Sequence, residues 1–242
     1  HRFGGGFRQF NPLNFTNLWA GMNYTFTENA FVYARDIDSK RITSITPTNI
    51  SGTQSIWANL DFGFPIRKNK FTINTGYNFN YNKGFTLINS LQDDITTFGH
   101  GFNLRINLTP IDQFSFFLNG GARFSDQNSS LNSLESTKLQ NYTSGLELNY
   151  KFPYKLFLNT SFNYSQFINN SSGFNESVPL LNVSLYKVFL KGDKGEIRLS
   201  GYDLFNKNLG ITQSAWSNIV TQTTTSTLAR YFLLSFTYNM RG

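Results

Sequence analysis

The sequence predicts an all-β chain folded as a transmembrane antiparallel β-barrel. Three observations predict this class: hydrophobic residues recur at every second position, charged residues are scarce beside aromatic ones, and short connections alternate with long ones. Together they describe strands with one apolar and one polar face, joined so that connections of similar length meet at the same end of a sheet.

Composition indicates that much of the molecular surface lies outside water. Charged residues make up 14% of the 242 residues and aromatic residues 17%, including 26 Phe and 12 Tyr. A water-soluble domain carries about a quarter charged residues, which keep its surface hydrated. Uncharged polar residues and glycine fill most of the remainder. This mixture is typical of strands with one face in lipid and the other in water.

The net charge of +7 and the lack of cysteine narrow the classes of function. Basic residues are scattered and form no run longer than two, so they are better explained as solvated loop and lumen residues than as a nucleic-acid interface. Without cysteine there is no disulfide framework, thiolate chemistry or zinc–thiolate site. No apolar run reaches the ~18–20 residues of a membrane helix, and no signal peptide opens the sequence, as expected of a mature or truncated chain.

Period-two alternation predicts about eleven strands, each near the ~9–11 residues that cross a membrane. In 98–109, Phe102 and Leu104 share one face while Asn103 and Arg105 share the other. The second of the predicted strands has the weakest alternation. The segments are 17–27, 30–46, 55–66, 70–81, 98–109, 114–125, 142–152, 156–166, 180–190, 196–205 and 232–240.

Connection length separates a membrane barrel from a soluble sandwich, because both would show the same alternation. The short connections fall at 28–29, 67–69, 110–112, 153–154 and 192–195. The long connections are 35–54, 82–96, 126–140, 167–178 and 206–227. In outer-membrane barrels the short turns face the periplasm and the long loops face the exterior. We therefore expect a location in the outer membrane of a Gram-negative bacterium, with the C-terminus on the periplasmic side.

An odd number of strands predicts that this chain is one part of a larger barrel. Bacterial barrels have even numbers of strands. An unpaired edge in lipid would also leave backbone N–H and C=O groups without partners, at a cost of several kcal/mol each. We therefore expect residues 1–242 to be the C-terminal portion of a barrel domain that pairs at both edges with strands outside this chain.

Two segments near the C-terminus carry a recognisable pattern. Residues 201–208, GYDLFNKN, and 229–239, ARYFLLSFTYN, resemble the end of TonB-dependent-receptor-like outer-membrane barrels, including the SusC-like nutrient receptors. The rest of the chain resembles that family in pattern alone. The resemblance implies a 22-stranded barrel filled by an N-terminal plug, of which about eleven strands are half. It further implies solute uptake across the outer membrane, energised by TonB.

Other functions stay open beside uptake. Relatives of this kind also serve as scaffolds, so the alternative is a non-transporting barrel that acts as a binding or scaffold subunit of an outer-membrane complex. A third alternative is a small porin or barrel enzyme that is complete in itself. A plug and a TonB box in the same polypeptide would favour uptake.

Residues suited to catalysis or metal binding are scarce. His1 is terminal and His100 falls on the predicted lipid face, so a Ser–His–acid arrangement has no base. Asp93 and Asp94, in a predicted long loop, have the chemistry to bind a cation, but adjacent loop acids are usually solvated. We therefore predict no enzymatic activity, no cofactor and no metal site.

The predicted functional residues lie on the polar face and in the long loops. Ten lumen-facing positions, expected to contact a plug or a passing solute, are Trp57, Asn59, Asp61, Asn103, Arg105, Asn107, Arg123, Glu147, Asn149 and Arg198. Phe174 and Trp216, in long loops, are expected to contact a ligand or a lipoprotein lid. The expected partners are outer-membrane lipid (lipopolysaccharide and phospholipid), the missing barrel half and plug, TonB and a surface lipoprotein, but no nucleic acid.

Overall fold

The computed structural model describes residues 1–68, 70–131, 136–216 and 219–240, and most of them are in β-strands. The strands are β1 (Arg2–Phe10), β2 (Asn17–Thr27), β3 (Ala30–Ile37), β4 (Thr43–Ile50), β5 (Thr53–Arg67), β6 (Phe71–Ile88), β7 (Leu91–Ile111), β8 (Phe114–Ser129), β9 (Thr137–Phe152), β10 (Leu156–Asn169), β11 (Phe174–Phe189), β12 (Gly195–Tyr202), β13 (Leu209–Trp216), β14 (Ile219–Ser226) and β15 (Tyr231–Tyr238). A 3₁₀ turn, Pro153–Lys155, separates β9 from β10. No helix in the described ranges is long and apolar enough to cross a membrane.

Eleven strands form one continuous antiparallel path, in the order β1-β2-β5-β6-β7-β8-β9-β10-β11-β12-β15. The predicted all-β antiparallel class is therefore confirmed, and the path has the predicted number of strands. Its membership differs at two places. β1 was not among the predicted strands, and the segment 30–46 contributes to the hairpin of β3 and β4 instead of a strand of the path.

Two hairpins extend the structure beyond this path. β3 pairs with β4, and β13 pairs with β14 in a separate sheet. β3 also pairs in parallel with the end of β6, at Ala34 and Arg35. This contact lies beyond Lys83, where the pairing of β6 with β5 ends. The β3–β4 hairpin therefore takes the place of β5 beside the last residues of β6.

The connections between strands of the path gather at two ends of the sheet. Those of the turn end are 11–16, 68–70, 112–113, 153–155 and 190–194. Those of the hairpin end are 28–52, 89–90, 130–136, 170–173 and 203–230. Residues 28–29 thus belong to the hairpin end, and their prediction as a turn of the opposite end is wrong. The reason is that segment 30–46 does not cross the sheet, so β2 pairs directly with β5 and residues 28–52 connect these two strands at the hairpin end.

Much of what the sequence predicts as long loop is strand. β6 and β7 continue to a two-residue turn of Asn89 and Ser90, whose φ angles of 50° and 64° lie in the left-handed region. Positive φ at both central residues matches the twist of a tight hairpin. β7 is 21 residues long, whereas about 9–11 residues suffice to cross a membrane. The hairpin end therefore projects well beyond any bilayer that the sheet crosses.

Cross-strand register divides the sheet into two faces. The polar face contains Asn103 of β7 and the positions in register with it, and the apolar face contains Leu104 and its register. Large hydrophobic side chains of the apolar face are exposed, with 52% of Phe102 and 52% of Leu199 accessible. Every buried side chain on the eleven-strand path lies instead on the polar face. These are Asn59, Thr86, Asp93, Ile95, Gln127, Leu139, Asn169, Val178 and Ser200.

This pattern of burial is the reverse of that in a soluble sandwich. A sandwich packs its apolar faces against each other around a dry core. Here the described residues include four buried hydrophobic side chains, and the three of them on the path lie on the polar face. The apolar face thus has no protein layer against it in the described structure, as expected of a sheet that faces lipid.

Candidate functional site

All ten residues that the sequence predicts as inward lie on the polar face. The register gives this result directly: Arg123 is opposite Gly101, and Arg198 is opposite Tyr186. The same chain of pairings places the other predicted positions, which are Trp57, Asn59, Asp61, Asn103, Arg105, Asn107, Glu147 and Asn149. They are spread over five strands rather than gathered in one cluster.

Asparagine side chains on the polar face lie flat across glycines of the neighbouring strand. A Cβ atom added at Gly76 would lie 2.5 Å from Asn103 Nδ2 and 2.5 Å from Asp61 Oδ1. Equivalent Gly–Asn pairs cross several other strand boundaries. They are Gly4–Asn23, Gly63–Asn74, Gly99–Asn80, Gly101–Asn78 and Gly145–Asn119. Each glycine therefore provides the space that a neighbouring amide fills. The result is a flat surface rich in hydrogen-bonding groups.

Three of the predicted residues meet in one groove of the polar face. Asn103, Arg105 and Arg123 line a cavity of about 510 Å³ that spans β6 to β9. The other polar side chains of this cavity are Asn78, Asn119, Asn141 and Thr143. We name this cavity the arginine groove. No acidic side chain among the described residues lines it, and both guanidinium groups are in exposed residues.

The remaining predicted residues fall into separate local clusters. Asn59 Nδ2 donates to Asp61 Oδ2 at 3.2 Å, and the ring of Trp57 lies 6.2 Å from that of Trp19 on the same face. Asn107 Nδ2 donates to Thr72 Oγ1 at 3.0 Å. Asn149 accepts a hydrogen bond from Asn159 across the β9–β10 boundary.

Arg198 is held by its own partners, apart from the arginine groove. Its Nε donates to Glu196 Oε1 at 2.9 Å. Its guanidinium carbon lies 3.9 Å from the centroid of the Tyr186 ring, in a cation–π contact. Arg198 is thus the arginine on this face whose charge is already compensated within the chain.

The two aromatic residues predicted in long loops have different outcomes. Phe174 opens β11 and pairs with Asn169, so it lies in a strand at the hairpin end, on the polar face, and the loop prediction is wrong there. Its role in binding stays a prediction. Trp216 is the last residue of β13, and its side chain lies outside the part of the chain that the structure describes, so its predicted role in binding stays a prediction.

The C-terminal motif, residues 201–208 and 229–239, has a structural role. Asp203, which is 5% exposed, accepts hydrogen bonds from the backbone N–H groups of Lys207 at 3.0 Å and Asn208 at 3.1 Å. Asn206 Oδ1 accepts from the N–H of Arg230 at 3.0 Å. These contacts lie between the end of β12 and the start of β15. They hold together the two segments that flank the β13–β14 hairpin. The two halves of the motif thus contact each other.

The paired acids Asp93 and Asp94 do not form a solvated loop. Asp93 is fully buried, and its Oδ1 accepts from Ser129 Oγ, Ser130 N and Leu131 N at 2.7, 2.9 and 3.2 Å. Asp94 pairs with Lys83 at 3.4 Å. The prediction of two solvated loop acids is therefore wrong for Asp93. Strand β7 begins at Leu91, so Asp93 lies within a strand and its carboxylate is covered by the turn that follows β8. Within the described ranges, no three metal-ligating side chains cluster.

His100 lies on the apolar face, as its position in the alternation predicts. Its Nδ1 shares a hydrogen bond with the Tyr77 hydroxyl at 2.8 Å, and its ring packs 5.3 Å from that of Phe79. The polar Nδ1 atom of His100 therefore has a hydrogen-bond partner on the neighbouring strand β6.

Some residues of the polar face were not singled out from the sequence. Asn78, Asn119 and Asn141 share the parity of the predicted residues, so stricter use of the period-two rule would have found them. The proximity of Arg105 to Arg123 required the register of two strands, which no local pattern supplies.

Comparison with known proteins agrees with this architecture. A model of the outer membrane protein beta-barrel family matches residues 96–238, more than half of the chain, from within β7 to the end of β15. Neither a curated protein nor a solved structure matches the chain. The family match covers the whole arginine groove except its Asn78 side, and it covers the Asp203 turn. With its lipid-compatible apolar face and its amide-rich polar face, the chain belongs to the outer membrane protein beta-barrel family, and its location is the outer membrane of Gram-negative bacteria.

Proposed function

We propose that this chain forms one side of a larger, transporter-type barrel that admits a polar solute across the outer membrane. The observation that carries the proposal is the polar face, where amides, hydroxyls and arginines line open cavities while the opposite face is apolar. Such a wall suits the aqueous or plugged interior of a large barrel. The ten predicted residues of that face would contact a plug or the passing solute.

The edges of the sheet support the idea of a larger barrel. In the described residues β1 pairs only with β2, and β15 pairs only with β12, so both outer edges are open. Open edges are costly in hydrocarbon because their N–H and C=O groups have no water to bind. Further strands at both edges would satisfy these groups. Eleven strands on this path are half of the 22 in plugged outer-membrane transporters.

In this proposal the turn end faces the periplasm and the hairpin end faces the exterior, which puts the C-terminus on the periplasmic side. Uptake is gated by a plug and energised by TonB, and it needs no covalent chemistry and no cofactor. The apolar face contacts phospholipid and lipopolysaccharide, and a surface lipoprotein covers the hairpin end.

One observation favours the alternative of a non-transporting binding or scaffold barrel. Phe31 and Tyr33 of the β3–β4 hairpin are 62% and 54% exposed and pack edge to face at 5.3 Å. Exposed aromatic side chains beyond the membrane are typical anchors for protein partners. A scaffold would use this hairpin without passing a solute.

Loss of the protein tests the two functions against each other. Spent medium from the parent strain, a strain lacking the gene and a TonB-deficient strain is compared by untargeted mass spectrometry. We expect at least one polar solute to be consumed by the parent and left in the medium by both other strains. Identical consumption in all three, with loss of another protein from the outer-membrane fraction of the deletion strain, would reject uptake and support the scaffold.

A further inference from the structure

We propose that the arginine groove binds an anionic group pair, such as the two carboxylates or two phosphates of a small solute. This inference rests on the proposed function, because it requires the polar face to border an interior that ligands reach. It adds a chemical class of ligand and two residues that recognise it, Arg105 and Arg123.

The first support is charge that the chain leaves uncompensated. Among the described residues, neither Arg105 nor Arg123 takes part in an ion pair or a side-chain hydrogen bond. Arg198, on the same face, has both a carboxylate and an aromatic partner. The groove thus contains two guanidinium groups and, in the part of the chain that the structure describes, no acid in its lining.

The second support is the spacing of the two arginines. Arg123 is opposite Gly101 and Arg105 is opposite Asn119, so they are four residues apart along β7 and one strand apart. Strand geometry gives about 14 Å between their Cα atoms. Each side chain is long enough to reach toward the middle of this gap. Two anionic groups on one small molecule would each meet one guanidinium, which binds carboxylate or phosphate through two parallel N–H donors.

The floor between the arginines is open and polar. Gly121 lies in this gap, opposite Asn103 on one side and Thr143 on the other. Gly121 adds no side chain to the gap, and the Thr143 hydroxyl borders the space above it, 2.9 Å from where a Cβ atom would lie. The volume of about 510 Å³ is within the range of small-molecule sites. Asn141 Oδ1 is buried without a hydrogen-bond partner in the described structure. The amides of Asn103 and Asn119, which are exposed residues of the lining, are accessible to the uncharged parts of a solute.

The charge balance of the groove selects against cations. The acids closest to it on the polar face are Asp61, which accepts from Asn59, and Glu147, which lies two residues beyond Gly145. Neither lines the groove. A cation there would meet two positive charges and no carboxylate, whereas an anion would meet charge-assisted donors on both sides.

The full-length protein that carries this chain, purified in detergent, tests the proposal by isothermal titration calorimetry with pyrophosphate. We expect saturable binding, weakened about tenfold by Arg105→Gln and about tenfold by Arg123→Gln. Arg8→Gln removes the same charge from the same face, where Arg8 of β1 is opposite Trp19, and is the matched control, with binding within about twofold of the unsubstituted protein. Sucrose, a neutral probe, should not compete with pyrophosphate.

A second arm separates a free anion from acidic side chains of the same polypeptide. If acidic side chains fill the groove, pyrophosphate does not bind, and the Arg105→Gln/Arg123→Gln variant melts several degrees below Arg8→Gln without any probe. That result would show that the groove recognises anionic groups and that these groups are acidic side chains of the same polypeptide. The proposal is overturned if pyrophosphate does not bind and the melting temperatures agree, or if Arg8→Gln weakens binding as much as the groove variants. Solute consumption in cells is a separate readout, so failure of uptake leaves these binding results interpretable.

Discussion

Replacement of Leu104 by arginine is expected to lower the free energy of unfolding of the bilayer-inserted protein by about 2–4 kcal/mol. Leu104 lies on the apolar face, seven residues from the end of β7 at the turn end. With about 9–11 residues crossing the hydrocarbon, this position is near the bilayer midplane. A guanidinium there loses its hydration and finds no partner among the apolar neighbours.

Asn103→Arg is the matched control for this prediction, because it places the same side chain one residue away on the polar face. There the guanidinium reaches water or polar protein groups, and the cost should stay below about 1 kcal/mol. Reversible urea unfolding in lipid vesicles, followed by tryptophan fluorescence, measures both variants. Equal losses for the two substitutions would contradict the assignment of the faces, as would a larger loss for Asn103→Arg.

Replacement of Asp93 by alanine is expected to cost about 3 kcal/mol and to loosen the turn after β8. The Asp93 carboxylate is fully buried and accepts hydrogen bonds from two backbone N–H groups and from the hydroxyls of Ser129 and Ser130. Alanine removes all four of these hydrogen bonds to a charged acceptor, although the Ser130 N–H keeps Asp94 O at 3.0 Å and the Leu131 N–H keeps Ser129 Oγ at 3.2 Å. It also removes one of the links between the start of β7 and the end of β8.

Limited proteolysis of the intact protein measures this second effect, with cleavage mapped by mass spectrometry. Asp93→Ala should cleave rapidly near the β8–β9 connection. Asp94→Ala is the control, since Asp94 is partly exposed and its pairing with Lys83 at 3.4 Å is expected to contribute less than about 1 kcal/mol. Asp93→Asn keeps an acceptor oxygen and should be intermediate. Proteolysis of Asp93→Ala at the rate of Asp94→Ala would show that the buried carboxylate does not hold this turn.

The faces of the sheet could be predicted from the sequence because one physical rule governs them at every residue. A side chain in a strand points to one face or the other, and lipid on one side favours apolar residues at one parity along the part of each strand that crosses the membrane. Asn103, Arg105 and Asn107 are therefore on the polar face by the same rule that puts Leu104 on the other. No tertiary information was needed for that step.

The hairpin end could not be predicted in the same way. Beyond the bilayer both faces of a strand meet water, so the alternation fades and residues 82–96 have the composition of a loop. Backbone pairing and the two left-handed residues Asn89 and Ser90 nevertheless keep β6 and β7 regular to the tip. The alternation of residue types reflects a difference between lipid and water on the two faces of a strand. At the hairpin end both faces meet water, so this difference is absent.

β1 was missed for a related reason. Its glycines suggest a flexible segment, yet Phe3 and Phe7 alternate with Arg2, Gly4 and Gly6 in the register of β2. The neighbouring strand β2 explains why position 4 is a glycine, because the side chain of Asn23 lies across Gly4 and leaves no room for a side chain there. Likewise, the burial of Asp93 depends on β8, which is distant in sequence. Such features arise from pairs of strands, and a single strand does not reveal them.

Spin-label accessibility along β7 tests the two-faced sheet most directly. The chain has no cysteine, so single cysteines at 101 to 108 in an otherwise cysteine-free full-length protein can each carry one nitroxide in lipid vesicles. We predict that collisions with oxygen, which concentrates in lipid, peak at positions 102, 104, 106 and 108 and fall at each position between them. Peaks at 101, 103, 105 and 107, or oxygen accessibility without a period of two, would contradict the account.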